Sequence, residues 1–203
     1  MDRRRVGERA LRMRGWTIAG EPPPADPVSV MIGAPHTSNW DLFLMLWLCW
    51  ASDVEPHFLM KKETFRGPGA TAFRRLGGIP VDRSDPGRLV SDLSARAGAA
   101  LAAGDRLQIV IAPEGTRRAG SYWKSGFYRL AHQASVPLCL GWCDGPTRTV
   151  GYGPTMRTTG DVGADMDRIR EFYATKRGVN PKHKTVARLR EEDDDPRPTP
   201  DEG

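Results

Sequence analysis

No stretch of this sequence approaches the ~20 consecutive apolar residues that cross a bilayer as a helix. The longest apolar run, LFLMLWLCWA (42–51), reads instead as a buried helix. The first 18 residues, MDRRRVGERALRMRGWTI, put arginines where a signal peptide needs its apolar core, so no secretion signal is expected. Cysteine is scarce: Cys49, Cys139 and Cys143 form an odd, scattered set. If 139–143 is a strand, its two cysteines stand ~13 Å apart, too far to bridge. No CxxC pair, GxSxG elbow, Walker loop or GxGxxG occurs. Thiol-redox, serine-hydrolase and nucleotide-phosphate signatures are therefore missing. His36, Asp41, His57 and His132 show no familiar ligand spacing, so no metal is expected. Reduced thiols in a cytoplasm are the expectation.

What is present is enough chain for one domain with a sizeable core: 203 residues, 39% hydrophobic and 27% charged. The net charge of +5 is unevenly spread. The last stretch, EEDDDPRPTPDEG (191–203), holds seven acids and one Arg, a net of −6, which leaves +11 on residues 1–190. A body that basic is drawn to polyanions: nucleic acid, an anionic bilayer or phosphorylated substrates. The acidic tail is expected to be disordered from about Arg190.

Residues 3–18 predict a basic amphipathic helix, in an N-terminal segment spanning 1–20. Its arginines and Trp16 suit either a bilayer interface or packing on its own domain. EPPPADP (21–27) stops any helix. VSVMIGA (28–34), HFLM (57–60), IPVD (79–82), RLQIVIAP (106–113), VPLCLGWC (136–143) and TRTVGYG (147–153) read as strands. Helices are expected from about 39 to 51, within 61–78, over 87–104 and 124–134, and around Met166–Tyr173. The alternation implies one α/β domain over 28–180, with a largely parallel central sheet flanked by helices. No internal repeat or domain boundary is visible. Sites in such sheets form beyond the carboxyl ends of the strands.

Two polar clusters follow buried strands. In PHTSNWD (35–41), an aspartate in the first turn of a helix can set the tautomer of His36 and support its imidazolium. The same residues read equally as a helix cap by Thr37, Ser38 or Asn39. In PEGTRR (113–118), Gly115 allows a tight bend and Arg117 offers a planar fork suited to phosphate. GGIPVDR (77–83) places Arg83 just past another strand, and Arg118 and Lys124 add charge nearby.

Taken in order, HTSNWD, GGIPVDR, PEGTR and VPLCLGW resemble the four motifs of the glycerolipid acyltransferase family, which includes 1-acylglycerol-3-phosphate acyltransferases. The resemblance runs from about residue 28 to about 155. Pro35, Ala112 and Arg118 depart from the family's usual residues. The resemblance implies transfer of a fatty acyl group from a thioester, acyl-CoA or acyl carrier protein as co-substrate, to the hydroxyl of a lysophospholipid. It implies no resident cofactor. His36 would be the general base and Asp41 its partner. Arg83 and Arg117 would hold an acceptor phosphate, with Glu114, Gly115 and Thr116 shaping the substrate pocket. Arg118 and Lys124 are candidate phosphate or membrane contacts. The apolar side of 42–51 would line an acyl groove or be ordinary core.

Such substrates live in bilayers, so peripheral association with the inner face of the cytoplasmic membrane is expected. Three other readings remain open: a hydrolase passing the acyl group to water, a lipid binder without catalysis, and a nucleic-acid binder. The last lacks any known binding motif, so no nucleic acid is expected.

Overall fold

The structure, a computed structural model, describes residues 2–82 and 84–194; Arg83 and the tail from 195 onward lie outside the described residues. Seven strands form one sheet: β1 (Thr17–Gly20), β2 (Val28–Ala34), β3 (Pro56–Lys61), β4 (Gly78–Val81), β5 (Leu107–Ile111), β6 (Leu138–Asp144) and β7 (Thr149–Met156). Their order across the sheet is β1-β7-β6-β2-β5-β3-β4. All neighbours are parallel except the β6–β7 pair. The helices are α1 (Arg3–Met13), α2 (Trp40–Ala51), α3 (Ala70–Arg75), α4 (Pro86–Ala103), α5 (Gly126–Gln133) and α6 (Val162–Ala174). The expected α/β domain with a largely parallel sheet is therefore the fold.

Both faces of the sheet are covered, which is why VSVMIGA is apolar throughout rather than alternating. Strand side chains point alternately to opposite faces. Val28, Val30, Ile32 and Ala34 face one core, with Val90, Leu93 and Ala97 of α4, Phe127 and Leu130 of α5, and Met166 and Ile169 of α6. Met31 faces the other, with Leu44, Leu48 and Cys49 of α2 and Leu11 of α1. All three cysteines are unpaired and buried. Burial pushes the Cys49 thiol up to about 12 and Cys139 up to about 11, so neither is a ready nucleophile. No helix among the described residues is long and apolar enough to cross a membrane.

The N-terminal helix is shorter than its sequence suggests. It ends at Met13, where the Trp16 N–H returns to the Leu11 carbonyl and Gly15 takes a left-handed φ of 69°. Thr17–Gly20 then leave the expected helix to pair with Thr149–Tyr152 as an edge strand. The helix itself packs on its own domain. A Cβ on Gly7 would lie 2.4 Å from the Trp47 carbonyl oxygen and 2.7 Å from the Ala51 nitrogen, so α1 and α2 touch backbone to side chain-free backbone. At the other end, Arg190–Asp194, expected to be disordered, form a 3-10 turn instead. Arg170 there pairs with Glu192, and Arg188 with Asp193 at 2.6 Å, so two cations hold the start of the acidic segment.

Two glycine substitutions should move stability in opposite directions. Gly7→Ala should cost about 1–3 kcal/mol by overpacking, despite alanine's better helix propensity. Gly98 lies inside α4 with nothing within 4 Å of a built Cβ. Gly98→Ala should stabilise by about 0.5–1 kcal/mol. Urea unfolding of the two variants checks both signs.

Candidate active site

β2 and β5 are neighbours in the middle of the sheet, with Ile32 opposite Ile111. Their carboxyl ends therefore deliver residues 35–41 and 112–118 side by side, the position that favours a site in an open parallel sheet. The Ala34–Pro35 peptide is cis. His36 follows, part-buried, and its Nδ1 stands 3.1 Å from Asp41 Oδ2.

That carboxylate does more than face the imidazole. Asp41 Oδ2 also accepts the backbone N–H groups of Thr37 at 2.6 Å and Ser38 at 2.7 Å. The Asp41 side chain is only 10% exposed. Asn39, the residue before α2, makes no side-chain cap bond. The Ser38 hydroxyl accepts the Trp40 N–H at 3.2 Å, and Asp41 reaches backward to bind the loop. One carboxylate thus both ties the loop entering α2 and faces the His36 imidazole. A carboxylate at a helix N-terminus is also favoured by the helix dipole.

The second loop supports the first from beneath. Glu114 is 5% exposed, and its Oε1 accepts the His36 N–H at 2.8 Å. It is not among the residues lining the cleft; it holds the backbone that carries His36. Burial pushes the Glu114 carboxyl up to about 7, against the pull of its bond to His36. Gly115 takes a left-handed φ of 66°, which turns the chain outward. Thr116, Arg117 and Arg118 then line a cleft of about 350 Å³, facing Thr37, Ser38 and Asn39. Arg117 Nη1 donates to Asn39 Oδ1, tying the two loops across the cleft. Lys124 is exposed beside Gly115 but is not a lining residue; its backbone N–H donates to the Pro113 carbonyl at 2.8 Å.

One contributor is absent from the sequence reading. Residues 175–189 run as a strap across both loops. The Asn180 N–H donates to Thr37 Oγ1 at 3.0 Å, and His183 Nδ1 lies 3.4 Å from the Thr37 carbonyl oxygen. Further along, Thr185 Oγ1 accepts the Gly120 N–H at 3.0 Å, and the Arg188 carbonyl accepts the Trp123 N–H at 2.7 Å. The strap is anchored where Arg177 meets the buried Asp144, with Nη2 2.9 Å from Oδ2. Burial alone would raise the Asp144 pKa; bonds from Arg177 and Thr147 hold it well below the usual carboxylate range. His183 joins Arg117 and Arg118 as a lining residue of the cleft. Nothing in its spacing ties it to His36, although it is one of only four histidines.

The acyltransferase family model matches residues 23–141, more than half the chain and both motif loops. The chain belongs to the acyltransferase family. Among solved structures, it is similar to the crystal structure of PlsC, a 1-acyl-sn-glycerophosphate (LPA) acyltransferase from Thermotoga maritima. The two are 16% identical, with a TM-score of 0.56 over 84% of this chain and 74% of that one, a likeness of fold. No curated protein matches the chain significantly. Membership supports acyl transfer as the activity. The strap lies beyond the region the family model matches.

The Glu114 environment predicts a pH signature. The folded chain binds this proton more tightly than an unfolded one, whose carboxyl has the ordinary pKa of 4.5. Stability should thus be highest below about pH 4.5 with respect to this group, and fall by on the order of 3 kcal/mol as pH rises through 7. Glu114→Gln keeps an acceptor for the His36 N–H and removes the ionisation. Urea melts at several pH values should show this component of the slope in the parent and its loss in the variant.

Proposed function

We propose that this acyltransferase moves a fatty acyl group from a thioester, acyl-CoA or acyl carrier protein, to the hydroxyl of a lysophospholipid. The reading rests on the His36–Asp41 pair, 3.1 Å apart, beside a cleft that carries two arginines. Asp41 engages Nδ1, which places the proton there and leaves Nε2 as the basic nitrogen. Nε2 takes the acceptor's hydroxyl proton as the oxygen attacks the thioester carbonyl. Asp41 holds the ring and stabilises the imidazolium; the same proton then serves the departing thiolate. The N–H groups of His36, Thr37 and Ser38 are already committed to Glu114 and Asp41, so the tetrahedral oxyanion draws on other donors.

Arg117 supplies a fork of donors for the acceptor phosphate, with Arg118 and His183 in the same cleft. Arg83 keeps its role in this reading as a second phosphate contact. Thr116 shapes the cleft. The exposed arginines of α1 and the +11 of residues 1–190 draw the protein to an anionic membrane surface, where the acceptor and product reside. This makes it a peripheral protein of the inner face of the membrane.

His36→Ala should lower acyl transfer by about 10²–10⁴-fold, read by mass spectrometry of acylated lipid and of free fatty acid. Turnover like the parent's would remove His36 as the base, and free acid as the main product would assign a hydrolase. Arg117→Ala should raise KM for lysophosphatidate by about tenfold or more, from loss of a charge-assisted bond, and leave KM for monoacylglycerol nearly unchanged. Equal effects on the two acceptors would contradict a phosphate role.

A further inference from the structure

A second cleft, of about 320 Å³, opens between the end of α1 and the first half of α2. Arg14, Trp16, Trp40, Leu44, Trp47 and Arg148 line it. Its chemistry differs from that of the Arg117 cleft. Trp40, Phe43 and Trp47 fall on one face of α2, and their rings form a row of tilted contacts with centroids 5.7 and 6.0 Å apart. The Arg14 guanidinium lies over this row, 4.6 Å from the Trp40 ring and 6.0 Å from Trp47. Arg148 Nη1 donates to the Arg14 carbonyl at 3.4 Å, so the second guanidinium is held at the same wall. Among the described residues, neither arginine has a carboxylate within ion-pair distance.

The surroundings say what such a pair of cations would meet. Six large hydrophobic side chains are exposed among the described residues, and four of them gather here by ring contact or chain adjacency. Trp40 is 46% exposed and Phe43 44%; Met13, next to Arg14, is 73% exposed, and Ile18, two residues from Trp16, is 43%. A soluble anion would leave that apolar rim bare in water. A bilayer surface covers it: tryptophans sit at headgroup level, arginines meet phosphate, and apolar side chains such as Phe43 and Met13 enter the acyl boundary.

We propose that the cleft between α1 and α2 binds the phosphodiester headgroup of an anionic membrane phospholipid, held by Arg14 and Arg148. The inference rests on the peripheral docking read above and makes it a defined site rather than a diffuse attraction. Trp40 directly precedes Asp41, so a headgroup held there sets the base of α2 against the membrane. The hydroxyl that His36 deprotonates then arrives from the bilayer rather than from bulk water.

The test is sedimentation with vesicles of about one-third phosphatidylglycerol in phosphatidylcholine. Arg14→Gln/Arg148→Gln should bind on the order of tenfold more weakly than Arg9→Gln/Arg12→Gln, which removes the same charge from exposed positions outside the cleft. Phe43→Ala should weaken binding with no change of charge. Turnover of short-chain, water-soluble substrates should be unchanged in all three, which also shows that they fold. Equal weakening in the two arginine pairs would overturn the headgroup site and leave diffuse docking intact. Failure of the parent protein itself to bind these vesicles would overturn both. Binding of a free nucleotide that depends on Arg14 and Arg148, with vesicle binding unaltered, would assign the cleft to a soluble ligand instead.

Discussion

Asp41 Oδ2 accepts two loop amides while standing 3.1 Å from the His36 imidazole, and this crowded oxygen organises the site. Both amides belong to the loop that carries His36. The loop cannot change shape without losing bonds to the charge, and the charge cannot turn away without freeing the loop. His36 is thereby fixed in ring orientation and tautomer by one group at the start of α2. Glu114 acts on the same residue from the loop after β5: its Oε1 accepts the His36 N–H. Two carboxylates on two loops thus set one imidazole.

This arrangement depends on the sheet. β2 and β5 pair in parallel, so their carboxyl ends emerge at the same edge, about one strand spacing apart. Helices cover both faces, which keeps those strands buried and their ends in register. A strand slipped by one residue would send Val30 and Ile32 to the wrong core, so the packing that stabilises the fold also aligns the loops. The strap then closes the assembly from the other side. Its anchor, Arg177 on the buried Asp144, is a pair in which removing the cation would strand a charge in low dielectric.

Much of this was legible because local patterns carried it. The helix expected over 87–104 forms as Pro86–Ala103, with Leu93 and Ala97, four residues apart, in the core and Asp85 and Gly104 at its ends. Only Leu101, near the last turn, is 44% exposed. The order of the motif loops pointed to the family, and their position after buried strands pointed to one edge of the sheet. Other parts had no local signal. TIAG carries no alternation because it is a mostly exposed edge strand, and its partner Thr149 lies far along the chain. Residues 175–189 lack period and apolar runs, since what holds them is hydrogen bonds to loops distant in sequence and the isolated core side chains Ala187 and Leu189. Glu114 was expected to shape the substrate pocket from the resemblance of its motif; that it also turns inward to hold the His36 N–H is visible only in the packing.

The uniform hydrophobicity of LFLMLWLCWA has a related explanation. Leu44, Leu46, Leu48 and Cys49 are in the core, but Trp40, Phe43 and Trp47 form the outward stripe of the same helix. Ordinary core packing accounts for the first set and in part for Trp47, but not for the exposed Trp40 and Phe43. A surface helix normally turns charge to water on its outer face. This one turns aromatic rings outward and borrows its cations from α1 and from the β6–β7 turn, through Arg14 and Arg148. Helix α2 therefore joins two environments along its own length: its first turn carries Asp41 toward the His36 imidazole, and its outer stripe faces whatever lies beyond the protein. In the proposed reading, where the acceptor dissolves in lipid, a shallow aromatic face one residue from Asp41 would bring the proposed base and the acceptor together at the surface.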